Sequence, residues 1–277
     1  MNSNSKGLPP YSVLMSVYAG EKPEYLKQSI DSMINQSFQT NDFVLVCDGK
    51  LTDELEKVVS EYENKYSFFH PVRLPQNVGT GQCANIGIDK CINEYIVKMD
   101  SDDISLPERC EKQIRLLYSN PALDMCGAFI KEFDTETNEF IAIKKTPKTN
   151  DEIHKYARRR NPFNNQTLVF KKSLAKRIGG YSALTRCEDY DFVVRMLNAG
   201  AKGENIQQVL VDYRVSKDNY ERRQNWANTK AFISVRWKIY RMGYSNLLDF
   251  LLPCAFQMFI FIMPKSLTGK IYKKFLR

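Results

Sequence analysis

Histidine is scarce in this chain: 277 residues hold two, His70 and His154. That excludes a metal centre built mainly on imidazole and leaves oxygen ligands, which suit Mg2+ or Mn2+. The seven cysteines (Cys47, Cys83, Cys91, Cys110, Cys126, Cys187 and Cys254) include no C-x-x-C pair, and several sit in apolar runs. An odd number without paired spacing argues against a disulfide frame or zinc site, and for reduced thiols in a cytoplasmic protein. Neither a G-x-x-x-x-G-K-[ST] loop nor the Rossmann glycine fingerprint is present. The amino-terminal stretch MNSNSKGLPPYS is polar, carries two prolines and lacks an apolar signal core, so export by that route is not expected. There is no internal repeat and no low-complexity linker. The longest uncharged run, inside NLLDFLLPCAFQMFIFIM (246–263), is about fourteen residues and is broken by Pro253, against roughly 20 needed to span a bilayer.

What is present is a globular composition, 43% hydrophobic and 26% charged, enough for a sizeable core. The formal net charge of +8 suits anionic partners such as nucleotides, phospholipid surfaces or nucleic acid without choosing among them. YSVLMSVY (11–18), FVLVCD (43–48), the weaker FFHPVRLP (68–75) and YIVKMD (95–100) read as strands. Between them, PEYLKQSIDSMINQ (23–36), LTDELEKVVSEYENKY (51–66) and NVGTGQCANIGIDKCI (77–92) read as helices, the second capped by Thr52. This alternation predicts an α/β fold with a mainly parallel sheet flanked by helices.

Ligands of such sheets bind beyond the carboxyl ends of the strands. Tyr18, Ala19 and Glu21 follow the first strand, Asp48 ends the second, and Asp100, Asp102 and Asp103 end the fourth. That coincidence of position is the strongest pointer to a site. Farther on, a helix is expected over 105–120 with Pro107 at its start, and strands over 125–134, 139–145, 166–172 and 206–215. A basic helix or turn fits 150–160; 173–202 reads as a short helix, a glycine turn, an acidic cluster and a longer helix. Composition shifts near 216, which sets the expected limits: a flexible 1–10, one domain over 11–215, and a helical tail over 216–277.

The D-S-D-D cluster offers oxygen ligands for a hard divalent cation shared with substrate phosphates. Taken alone, such a turn is more often structural. Glu188 and Asp189, with Asp191, precede an apolar helix; they suit either the helix dipole or a general base. Asn77, Gly79 and Asn85 lie in a turn-to-helix segment with Gly81 and Gly87, open to a ligand's close approach or to a tight turn. The triplet Arg158, Arg159 and Arg160 is either a solvated surface or a holder of an acceptor phosphate. An apolar block at 246–263 followed by PKSLTGKIYKKFLR, with five basic residues and no acidic one, suits either a helix lying on an anionic membrane or a core-packed helix with a solvated end.

SVLMSVYAGEKPEYLKQSIDSMINQ, VLVCDG, NVGTGQCANIGI, YIVKMDSDD and GGYSALTRCEDYDFVVRMLNAG together resemble the bacterial family 2 glycosyltransferases, inverting enzymes of the GT-A fold, over roughly residues 10–215. The tail and the NPFNN segment resemble the subgroup that builds O-antigen and capsular polysaccharide by adding a hexose β1,3 to GlcNAc on undecaprenyl pyrophosphate. The resemblance implies a UDP-hexose donor, glucose or galactose, and a Mn2+ or Mg2+ ion. It also implies work on the cytoplasmic face of the inner membrane, with no nucleic-acid partner. Tyr18, Ala19 and Glu21 would border the base, Asp48 the uracil and Asp100 the ribose. Asp102 would hold the metal, Asp103 would support the loop within the nucleotide-sugar site, and Asp189 of the Glu188–Asp189 pair would be the catalytic base. One departure is visible: relatives often carry His-Pro where this chain has Asn165-Gln166. Two alternatives remain at this point. A sugar-phosphate nucleotidyltransferase would release pyrophosphate, and a non-catalytic membrane-surface protein would release no UDP.

Overall fold

The computed structural model describes residues 7–215 and 225–263. The expected alternation is present. Strands β1 (Tyr11–Val17), β2 (Asp42–Cys47), β3 (Phe69–Arg73) and β4 (Tyr95–Asp100) are joined by helices α1 (Pro23–Ile34), α2 (Asp53–Lys65) and α3 (Thr80–Lys90), and lie parallel in the order β3-β2-β1-β4. The strands are apolar on both faces because helices cover both. Val13, Met15, Leu45 and Val97 pack with α1, α2 and α4 (Arg109–Ser119), while Leu14, Val44, Val46 and Ile96 pack with α3 and α7 (Glu188–Asn198). Thr52 caps α2, its hydroxyl accepting the Leu55 amide at 3.3 Å.

Beyond β4 the sheet becomes mixed. Strands β5 (Ile104–Ser105), β6 (Met125–Asp134), β7 (Phe140–Lys144), β8 (Val169–Lys171) and β9 (Gly203–Val215) extend it, with β8 antiparallel to both β4 and β6, and β6 parallel to β9. The helix expected over 105–120 starts only at Arg109, because Ile104 and Ser105 pair antiparallel with β9. The strand expected from 166 starts at Val169, after a single 3-10 turn over Asn165–Thr167. Helix α5 (Asn150–Ala157), with a capping box between Thr149 and Glu152, stops before the arginine triplet. A short α6 (Lys172–Arg177) precedes the glycine turn.

Two further helices, α8 (Trp226–Arg241) and α9 (Leu247–Ile262), follow. Helix α8 is part of the body of the molecule: Val235 and Ile239 join the core on the α3 and α7 face. Residues 1–6, 216–224 and the basic run 264–277 lie outside the described residues, so the expectations for the amino terminus and the basic end of the tail fall there.

Gly87 is where α3 meets the sheet. A Cβ there would lie 2.2 Å from Leu14 Cδ1 and 3.1 Å from Val46 Cγ2. Replacing a mid-helix glycine by alanine usually stabilises by about 1 kcal/mol. Gly87→Ala should instead destabilise by about 1–3 kcal/mol, because the core must move to admit the methyl group. Urea unfolding gives the sign directly; a stabilised variant would show that α3 can lift off the sheet freely.

Candidate active site

The strand ends gather the acidic groups. Side chains alternate along β4, so Lys98 and Asp100 project to the same face as Ile96, towards α3 and α7. Lys98 is buried and its Nζ donates to Asp100 Oδ1 at 2.5 Å. The chain then turns through Ser101 and Asp102. The Ser101 hydroxyl donates to Glu21 Oε2 at 2.7 Å, and the Ser29 hydroxyl to the Asp100 carbonyl at 2.7 Å. The loop after β1 and helix α1 are thereby fastened to the acidic turn. Tyr18 is exposed, with its ring folded over Gly20.

Burial, then the charges of Asp100 and Glu21, push the Asp102 carboxyl up to about 7. Nothing of opposite sign offsets these terms fully, although Arg214 lies close enough to lower it somewhat. Asp103 is different. It is fully buried, its Oδ1 accepts the Arg214 amide at 3.0 Å, and burial followed by Asp102 and Asp100 drives its carboxyl well up. Asp103 therefore sits under the loop, tying it to β9, and is fully buried, unlike the nucleotide-sugar contact expected of it. Arg214 itself lies 4.2 Å over the Tyr25 ring.

Asp48 closes a second strand end. Its Oδ1 accepts the Val78 amide at 2.6 Å and its Oδ2 the Gly79 amide at 3.1 Å, while Asn77 Nδ2 reaches the Asp48 carbonyl at 3.4 Å. Asp48 thus builds the turn into α3. Gly79 has φ 86°, where a side chain would be strained. Asn85, expected at the nucleotide-sugar, is committed elsewhere. Its amide nitrogen donates to the Tyr181 carbonyl at 2.9 Å and its oxygen accepts the Tyr181 amide at 2.7 Å. It pins the glycine turn to α3, and a Cβ on Gly180 would meet its Oδ1 at 2.2 Å.

That clamp brings the start of α7 against the start of α3: a Cβ on Gly81 would lie 3.7 Å from Glu188 Cβ. Cys187, just before α7, has φ 59°, left-handed and uncommon for a residue with a side chain. Glu188 and Asp189 follow in the first turn. Burial and then Asp189 raise the Glu188 carboxyl, Asp100 adds to the rise, and Lys98 opposes it. Asp100 and the Glu188–Asp189 pair thus lie within electrostatic reach of one another, and of the buried Tyr181, at the carboxyl end of β4. Asn161 Nδ2 donates to Asp189 Oδ2 at 3.1 Å. Asp191, two residues on, is fully buried and points away, held by Lys238 at 2.6 Å, Arg195 at 2.8 Å and the Ser182 hydroxyl.

Sequence reasoning missed Lys98, Asn161 and Arg214. Lys98 carried a signal, a charge inside an apolar strand; Asn161 and Arg214 carried none that separates them from other polar residues. Arg158, Arg159 and Arg160 are not brought into the cleft and line a neighbouring cavity.

Among the described residues no three His, Cys, Asp or Glu side chains form a metal cage. The acidic turn suits the other mode, in which one or two carboxylates and substrate phosphates complete a Mg2+ or Mn2+ shell.

With the Asp102 carboxyl raised from 3.8 to about 7, the folded protein binds the proton more tightly than the unfolded chain. Stability is therefore lost as pH rises from about 4 to 7. In EDTA, Asp102→Asn should be more stable than the parent by roughly 2 kcal/mol at pH 8, allowing for partial exposure, with the gap closing towards pH 4.5. Urea titrations at the two pH values test this; a gap of equal size at both would remove the charge explanation.

The family profile "Glycosyl transferase family 2" matches residues 12–191. The chain is 32% identical over 273 residues to the Escherichia coli UDP-Gal:alpha-D-GlcNAc-diphosphoundecaprenol beta-1,3-galactosyltransferase, covering 99% of this chain and 98% of that one. It is 35% identical over 225 residues to the amylovoran biosynthesis glycosyltransferase AmsE of Erwinia amylovora, covering 81% of this chain and 84% of that one. The crystal structure of S. aureus TarS 1–349 in complex with UDP-GlcNAc superposes with a TM-score of 0.66 at 17% identity, over 96% of this chain and 73% of that one, a likeness of fold alone. With the family profile spanning well over half of the chain and relatives similar over nearly its whole length, this chain belongs to the glycosyl transferase family 2.

Proposed function

We propose that the protein transfers a hexose, glucose or galactose, from its UDP-sugar to the 3-hydroxyl of GlcNAc carried on a lipid diphosphate, with inversion to a β1,3 linkage. The reading is supported by the end-to-end similarity to an enzyme whose name states that reaction with galactose. The observation that carries it here is the closeness of Asp100, at the carboxyl end of β4, to Glu188 and Asp189 at the start of α7.

In this reading the roles divide as follows. Tyr18, Ala19, Glu21 and the turn that Asp48 builds around Asn77 and Gly79 border the nucleotide, and Asp100 meets the ribose. Asp102 would hold a divalent cation, which when bound would supply positive charge to the UDP leaving group. Asp189 is the base, oriented by the Asn161 amide. It takes the proton of the acceptor hydroxyl as that oxygen attacks the anomeric carbon from the face opposite UDP. One displacement inverts the centre and needs one base, whereas retention through a covalent intermediate needs a nucleophile and an acid/base. Glu188, with its raised carboxyl, is a neighbour that holds the cleft wall and has no proton to move in this scheme.

No helix among the described residues is long and apolar enough to cross a membrane. Helix α9 nonetheless exposes Leu248, Leu251, Leu252, Phe259 and Ile262, residues that recur along one side of the helix. Such a face suits peripheral attachment to the bilayer that carries the acceptor, on its cytoplasmic side, where UDP-sugars are made.

Asp189→Asn should lower kcat on the order of 10²- to 10⁴-fold with UDP affinity retained. Asp102→Ala should lose both transfer and metal-dependent UDP binding. Turnover on a GlcNAc-diphosphoryl-lipid analogue with UDP-glucose, UDP-galactose and UDP-N-acetylhexosamines, with NMR of the product linkage, tests both the roles and the donor. Full activity of Asp189→Asn would sink the base assignment.

A further inference from the structure

A cavity of about 770 Å3 lies apart from the strand ends, between α5, β9 and the start of α9. Lys148, Lys155, Arg158, Arg159 and Arg160 line it, against two carboxylates, Glu152 and Asp249; five cations less two anions leave three positive charges in excess. Both carboxylates are already engaged. Glu152 Oε2 accepts the Lys148 and Thr149 amides at 2.9 and 3.0 Å, and Asp249 Oδ1 accepts Arg159 Nε at 2.6 Å. Lys148, Lys155 and Arg158 form no ion pair among the described residues. A concave wall with that excess selects a multiply charged anion, and its arginines present the donor fork that phosphate oxygens accept.

The position of the cavity narrows the choice. The triplet runs directly into Asn161, which touches Asp189. An extended residue spans at most about 3.6 Å, so the backbone from Arg158 to Asn161 covers no more than about 11 Å. The segment is also fixed to the helix that carries the base, where Tyr190 Oη donates to the Ala157 carbonyl at 2.7 Å, and to α8, where Arg236 Nη2 donates to the Arg159 carbonyl at 2.9 Å. On the other side, Asn246 lines the cavity and α9 begins at the next residue, with Leu247 and Leu248 exposed. Cations and apolar side chains thus follow one another on a path that starts at Asp189.

We propose that this cavity binds the diphosphate of the lipid-linked acceptor, as an anion site separate from the one at Asp102 that faces the donor's diphosphate. The sugar then lies between Asp189 and the arginine triplet, and the lipid leaves along the exposed face of α9. The inference rests on the proposed acceptor being a sugar diphosphate on a lipid. It assigns the recognition to this cavity and adds Lys148 and Lys155 to the triplet.

The test uses the full chain, the double variant Lys155→Glu/Arg158→Glu and the conservative Arg158→Lys. Both changed side chains are exposed, and circular dichroism and Tm check folding. With GlcNAc-α-diphosphoryl-alkyl acceptor, KM should rise on the order of ten- to a hundredfold in the double variant, with kcat and UDP affinity kept; Arg158→Lys should recover most of the loss. GlcNAc-α-alkyl, which lacks the diphosphate, should be an equally poor acceptor for parent and variant. An unchanged KM for the diphosphate acceptor in a folded double variant overturns the proposal. So does a loss confined to binding of anionic phospholipid vesicles, which would make these cations a headgroup surface. Inorganic pyrophosphate titrated calorimetrically in EDTA separates the two readings. If the parent transfers to no GlcNAc-diphosphate acceptor yet binds pyrophosphate and the variant does not, the anion site stands while the proposed reaction falls; no binding by the parent overturns the site itself.

Discussion

Like charges crowd the carboxyl end of β4, and the cleft is organised around their repulsion. Asp100, Asp102 and Asp103 fall within four residues, and Glu21 is fastened to the same turn through Ser101. A buried carboxylate with carboxylate neighbours is costly, and the protein handles each one differently. Asp100 is given Lys98, a lysine buried in the sheet for that purpose. Asp103 is turned inwards and given the Arg214 amide. Asp102 keeps a carboxyl raised to about 7, because burial, Asp100 and Glu21 outweigh the nearby Arg214. The turn is therefore held in shape by the Lys98–Asp100 pair and by the Arg214 amide on Asp103, while Asp102 retains affinity for a positive charge. Under the proposed function, a divalent cation at Asp102 would relieve that repulsion.

A similar economy governs α7. Its first turn carries three acids in four positions, Glu188, Asp189 and Asp191. Asp191 is fully buried. Burial alone would raise its carboxyl, but Lys238, the Ser182 hydroxyl and Arg195 outweigh that and leave it lowered. The helix is anchored by that neutralised residue, so Glu188 and Asp189 can remain in the cleft with fewer partners. The left-handed Cys187 aims the turn, and the Asn85 clamp on Tyr181 stops it from drifting away from α3. Family membership excludes the nucleotidyltransferase and non-catalytic alternatives that composition and spacing had left open.

The first half of the fold was legible in the sequence because helix and strand periods alternate there without interruption, and each apolar strand ends in polar residues. That regularity also placed Tyr18, Asp48 and Asp100 together before any coordinates. The second half was harder for a physical reason: its strands pair across long sequence separations. Ile104 and Ser105 become a strand only because β9 lies beside them, and no local pattern announces that pairing. Roles were less legible than positions. Asp48 and Asn85 looked like ligand contacts, yet their polar atoms hold backbone amides; a side chain's hydrogen-bond partner is a tertiary fact. Lys98 was readable as a charge in an apolar strand, but its target became visible only once alternate side chains were assigned to faces.

The carboxyl-terminal helices illustrate how a composition shift can mislead about a boundary. The change near residue 216 suggests an appended tail, but α8 contributes Val235 and Ile239 to the core. It also sends two cations back towards the site. Lys238 neutralises Asp191 at 2.6 Å, and Arg236 lies 5.1 Å from the centre of the Tyr190 ring while donating to the Arg159 carbonyl at 2.9 Å. Tyr190 follows Asp189, the proposed base, directly in sequence, and Arg159 lies two residues before Asn161, which donates to Asp189. Helix α8 thus grips both chain segments that meet at Asp189. Helix α9, packed on α8 and joined to Arg159 through Asp249, extends that grip to the apolar face proposed to meet the membrane. Attachment at that face would hold the base and the acceptor segment at a fixed distance from the bilayer, which is the geometry a lipid-linked acceptor requires.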